Sequence, residues 1–185
     1  MRSLLITLFV IFVSGTLFIS GCGSSQPALP DAQSEAIPSW FLTPPQDPNY
    51  IFAPATMSSR DLQTAINRAT QAARAEVGRV VEVHLEGMQK SFTEEVGVGD
   101  DATFRQMFEE VSRTVVATSL SGSQVKEQAI ERDGNLFRAY VLVEYPIGAA
   151  NQQFLDQIKE QEEMYTRFRS AQSFQELERQ VQRYE

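Results

Sequence analysis

Three kinds of side chain in this 185-residue sequence could carry chemistry: one cysteine, one histidine and several adjacent pairs of carboxylates. Cys22 is the sole thiol, so no disulfide can form within the chain. His84 is the sole imidazole, and no second histidine or cysteine stands at metal-ligand spacing from it. It could carry a proton near neutral pH, but a histidine near a helix end, bonded to backbone or solvent, accounts for it better. Glu94-Glu95, Glu109-Glu110 and Glu162-Glu163 are sequence neighbours. On a helix such neighbours diverge by about 100° around the axis, so the paired carboxylates do not converge on one substrate atom and belong to solvated faces. Gly97-Val98-Gly99 lacks the third glycine of a nucleotide-binding loop, and Asp100-Asp101 is better placed to cap a following helix than to bind calcium. No G-x-S-x-G elbow supplies a serine nucleophile. The expectation is a chain with no catalytic residues and no metal site.

Cys22 suits a different chemistry. Met1-Arg2 precedes a nearly unbroken apolar run from Leu4 to Ile19, the layout of an export signal, and the run is shorter than the roughly 20 residues of a spanning helix. Ile19-Ser20-Gly21-Cys22 then resembles the lipobox of bacterial lipoproteins. That resemblance implies a signal peptide over residues 1–21, recognised by its peptidase through Ile19, Ser20 and Gly21. It also implies diacylglycerol on the Cys22 sulfur and a further acyl chain on the new amino terminus. No other cofactor is expected. Each buried methylene contributes about 0.8 kcal/mol and two chains suffice for stable anchoring, so such a protein stays on its membrane. Gly23, where retention signals carry Asp, implies the outer membrane, with its periplasmic face as the expected side.

Residues 22–185 keep 15 basic side chains against 24 acidic ones, a net charge of −9. An acidic chain without a basic block is poorly suited to nucleic acid or anionic headgroups. Residues 22–37, rich in Ser, Pro and Ala without apolar periodicity, form a lipidated cysteine and flexible tether whose coil span is about 20 Å. The remaining length suffices for one domain with its own core.

The elements that would position any site follow from periodicity. Trp40 and Phe41 open the domain, and Tyr50 to Ala53 forms a first strand with Pro54 marking an edge or a bulge. Trp40, Phe41, Tyr50 and Phe52 either close one end of the core or line a surface for a partner or small ligand. Ser58 or Ser59 caps a helix over about 60–84 whose buried stripe is largely alanine, suited to packing flat on a sheet. Glu86-Gly87 loosens it, Ser91-x-x-Glu94 fits a capping box, and a second helix spans 102–118. Two strands, 125–132 and 136–145, flank Asp133-Gly134-Asn135 as a hairpin, with Phe137, Ala139, Val141, Val143 and Tyr145 facing the alanine stripe. The segment 147–185 reads as one long amphipathic helix, with a possible restart at Ser173-x-x-Glu176. Phe154, Ile158, Tyr165, Phe168, Leu177 and Val181 give it a stripe suited to self-assembly.

Taken together, P-S-W at 38–40, Y-I-F-A at 50–53, the alanine-rich 65–77 and L-S-G-S-Q-V…D-G-N-L-F-R-A-Y-V-L-V-E-Y resemble the LPP-twenty family of outer-membrane lipoproteins over residues 38–146. Relatives in that family include a flagellar lipoprotein that forms a disk around the motor. The resemblance implies an α+β fold: a β-α-β-β core, with a three-stranded antiparallel sheet and a packed helix somewhat like dodecin, to which an extra helix and the long C-terminal helix are added. It also implies a non-enzymatic structural or adaptor role in the envelope. Outer-membrane lipid, further copies of the chain or an envelope protein would be its partners, with a link to motility. The alternative is a small-ligand-binding lipoprotein using the Trp40, Phe41, Tyr50 and Phe52 cluster.

Overall fold

A three-stranded antiparallel sheet and several helices make up the α+β structure, a computed structural model that describes residues 37–98 and 101–184. Helix α1 (Ser39–Leu42) precedes β1 (Tyr50–Ser59), and β2 (Gln124–Asp133) and β3 (Leu136–Pro146) complete the sheet in the order β1-β3-β2. The hairpin between β2 and β3 turns on Gly134-Asn135. Gly134 stands at φ 58°, where a side chain would be strained, and Asn135 does not share that conformation, the pattern of a type II′ turn. β1 is longer than its first four residues suggested, pairing with β3 from Tyr50↔Pro146 to Ser59↔Phe137. Pro54 is tolerated because β1 is an edge strand. Central β3 is covered on both faces: Ala139, Val141, Val143 and Tyr145 are buried on one, Tyr140 and Leu142 on the other.

Helix α2 (Leu62–Val96) lies across β1 and β3. Ala65, Ala69, Ala73, Val77, Val81 and Leu85 repeat every four residues and are fully buried, so the small side chains let the helix sit close to the sheet. Its cap is Asp61, which accepts from the Thr64 amide at 2.7 Å. Neither Ser58 nor Ser59 serves, because strand pairing runs through both. The helix also runs on past His84 for three more turns. Gly87 costs roughly 1 kcal/mol relative to alanine in a helix interior, which burial of Leu85 and Phe92 outweighs. Ser91 starts no helix: its hydroxyl donates back to the Gly87 carbonyl at 3.2 Å. The end comes at Gly97, left-handed at φ 73°, whose amide bonds the Thr93 carbonyl.

At about 1.5 Å per residue, the 35 residues of α2 extend some 52 Å, beyond the roughly 33 Å of a ten-residue strand. The overhang is covered by helices. α3 (Ala102–Gly122) is capped by Asp101, whose carboxylate accepts from the Thr103 and Phe104 amides. A Cβ at Gly78 of α2 would meet Leu120 of α3 at 2.9 Å, so glycine permits the close approach of this pair.

The C-terminal segment is three helices rather than one: α4 (Ile147–Glu160), α5 (Glu162–Phe168) and α6 (Gln172–Tyr184). Breaks fall at Gln161, in extended conformation, and between Phe168 and Ala171. The physical reason is burial. A straight helix would expose its aromatic stripe, whereas the folded segment brings Phe154, Phe168 and Phe174 around Phe92, with ring centroids 6.2, 5.1 and 6.1 Å away. Phe104 and Phe108 extend the cluster, 4.9 Å from Phe168 and 5.3 Å from Phe154. A helix does restart beside Ser173, at Gln172, but the Ser173 amide donates to the Glu95 carboxylate of α2, 3.2 Å away, and not to a local box.

Candidate functional site

Cys22 and its recognition residues Ile19, Ser20 and Gly21 lie outside the described residues. The four aromatics of the N-terminal segment form two pairs. Trp40 and Phe41 meet edge to face at 6.3 Å, and Phe41 packs on Tyr140 of β3 at 5.0 Å, helping to cover the sheet face opposite α2. Tyr50 and Phe52 stack at 6.0 Å, with Lys126 held over the Phe52 ring by its ion pair to Glu144 at 2.7 Å. No ring contact joins one pair to the other among the described residues.

The residues assigned to a self-assembly helix are placed elsewhere than expected. Phe154, Ile158, Phe168, Leu177 and Val181 are buried in the chain's own core, and Tyr165 is half-buried against Phe174. Because the segment folds back on α2, this stripe has no free face for a second copy.

The polar groups that do converge surround His84. A cleft of about 650 Å³ opens where the start of β1, the middle of α2, the start of α4 and the end of α6 meet. His84 stands well inside α2, and its Nε2 lies 2.7 Å from Oδ1 of Asn151 on α4. It is thus bonded to a side chain 67 residues away and not to backbone at a helix end. Asn151, only 5% exposed, donates through Nδ2 to Gln180 of α6 at 3.3 Å, and Gln180 donates to Glu176 at 3.3 Å. Arg179 and Arg183 close the chain on the Glu176 carboxylate at 2.8 and 3.1 Å. With Asn151 Oδ1 as the acceptor, His84 donates from Nε2, and the neutral ring in that tautomer keeps a lone pair on Nδ1.

Tyr50 and Tyr184 wall the cleft, 43% and 47% exposed. Gly148, in the first turn of α4, is where the Tyr184 ring packs against backbone, and any Cβ there would overlap it. Beneath the sheet end Tyr145 is buried with its hydroxyl unpartnered, and burial first, then nearby Tyr184, pushes its phenol above the ordinary range. Among the described residues no three His, Cys, Asp or Glu side chains group as metal ligands.

Asn151 and Gln180 escaped sequence reasoning. The one available signal was Asn151 itself, a polar residue three positions before Phe154 on the apolar side of its helix. Gln180 sits in a segment dense in Gln, Glu and Arg, where nothing sets it apart. No helix of the described residues is long and apolar enough to cross a membrane. No family model, curated protein or solved structure matches the chain.

Proposed function

We propose that the chain is a lipid-anchored protein of the outer membrane, held through Cys22 on the periplasmic face, with a structural or adaptor role exercised by self-association. It carries out no catalysis on this reading. The observation that supports it most is the uncovered side of β2. α2 lies over β1 and β3 but not over β2, so the strand's inner face keeps Val125 43% exposed and Ile130 only half-buried, beside the free edge of the sheet. On this proposal the exposed Val125 edge is the docking surface, and β2 carries Lys126, Glu127, Glu131 and Arg132 with a bulge at Val125/Glu127, features that limit open-ended pairing. The occupant on this proposal is a second copy, because a tether of about 20 Å would confine copies to a thin layer at high effective concentration.

The likeness to LPP-twenty lipoproteins belongs to the same proposal: β1, α2, β2 and β3 supply the β-α-β-β unit, with α3 inserted between α2 and β2 and the C-terminal helices added. Light scattering on the detergent-extracted full chain tests the assembly. A mass at a multiple of the chain, reduced to one chain by Val125→Glu, supports it, and a monomeric wild type overturns it. Replacing Cys22 by Ser moves the protein from the membrane fraction to the soluble one if the anchor is as proposed.

A further inference from the structure

We infer that the His84 cleft is a binding site for a neutral saccharide. Its volume of about 650 Å³ falls within the roughly 300–1,000 Å³ usual for small-molecule sites. Two half-exposed tyrosine rings, Tyr50 and Tyr184, wall it. An aromatic face is the negative side of a quadrupole and takes the C–H face of a sugar ring. The same cleft is lined by groups that both give and accept hydrogen bonds. The Asn151 amide keeps a second N–H beyond the one given to Gln180, and His84, with Nε2 given to Asn151, presents Nδ1 as an acceptor. A hydroxyl donates and accepts at once, so an array of this mixed kind suits a polyol better than a purely anionic or cationic ligand.

Charge points the same way. No carboxylate lines the cleft among the described residues, although the chain carries 24 acidic side chains. The one guanidinium there, Arg183, is ion-paired to Glu176 at 3.1 Å and so is poorly placed to fix an anion. The relay from His84 through Asn151 and Gln180 to Glu176 holds the array in place before any ligand arrives, which lowers the ordering cost of binding. The inference is independent of self-association, since β2 contributes nothing to the cleft.

The single imidazole makes the test direct. Long-range ¹H–¹⁵N spectra of the full chain in detergent micelles report His84 without ambiguity, and titration with tri-N-acetylchitotriose, maltotriose and cellobiose, each to tens of millimolar, supplies the ligand. Saturable shifts of the His84 ring and of the Asn151 amide with at least one sugar are expected. His84→Gln, read through the Asn151 amide, should weaken binding at least tenfold with unchanged circular dichroism, and Tyr50→Ala, read through the His84 ring, should do so without touching the relay. No shift with any of the three sugars, shifts confined to residues outside the cleft, or a response to inorganic phosphate in place of sugar would each overturn the inference.

Discussion

Replacing Phe92 by alanine should loosen the whole C-terminal half of the molecule. Phe92 is 1% exposed and is the point where α2 meets α4, α5 and α6, through Phe154, Phe168 and Phe174 at 5.1 to 6.2 Å. Truncating a buried phenylalanine costs about 3–5 kcal/mol through lost transfer and a residual cavity. Aromatic pairs at these separations contribute about 0.5–1.5 kcal/mol beyond area, a contribution that overlaps the cavity cost, so about 4 kcal/mol is expected in all. That is a large part of the 5–15 kcal/mol typical of a folded domain. Urea unfolding of residues 22–185 in a Cys22→Ser background, followed by far-ultraviolet circular dichroism, measures it. Amide exchange should quicken in α4–α6 before it does in β3. Phe92→Ala combined with Phe168→Ala should be less destabilising than the two losses added, since the rings touch. A loss below about 1 kcal/mol would refute the folded-back arrangement, because it is what an exposed Phe92 beside one extended helix would give.

Two glycines should respond in opposite directions: Gly148→Ala, which drives a methyl into the Tyr184 ring, should cost about 1–3 kcal/mol, whereas Gly87→Ala, with nothing near its Cβ, should gain about 0.5–1 kcal/mol, both read from urea midpoints. Tyr145→Phe should stabilise by about 1 kcal/mol by removing a buried hydroxyl that has no partner. Asp101 is held below the usual carboxylate range by its hydrogen bond from Arg167 at 2.7 Å and by the Phe104 amide. Its contribution is therefore complete above the unfolded value of about 3.9 and is lost as pH falls through the lowered folded one. Wild type should accordingly be more stable than Asp101→Asn at pH 7, and the gap between their urea midpoints should close on acidification below about pH 4; a gap that does not change with pH would contradict this.

What was legible in the sequence was local. The Asp133-Gly134-Asn135 hairpin, the alanine stripe of α2 and the Asp101 cap each depend on residues within a turn or two of one another, and each stands where periodicity or turn chemistry put it. What was not legible depends on distant partners. Gln161 and Ser170 carry no helix-breaking chemistry, so nothing local separates three helices from one, and the break follows from Phe92 recruiting rings 62 to 82 positions away. Gly87 weakened a helix on paper that Leu85 and Phe92 hold together. Ser91 and Glu94 matched a capping box that α2 runs straight through. His84 showed its position but not Asn151, and the cleft needs four separate elements to exist.

Self-association through β2 is tested most directly in intact cells. A photo-crosslinking side chain at position 125, with one at the Val83 position on the outer face of α2 as a control, should trap an adduct of two copies from 125 alone. Absence of that adduct from position 125, with the Cys22 anchor intact, would contradict the account.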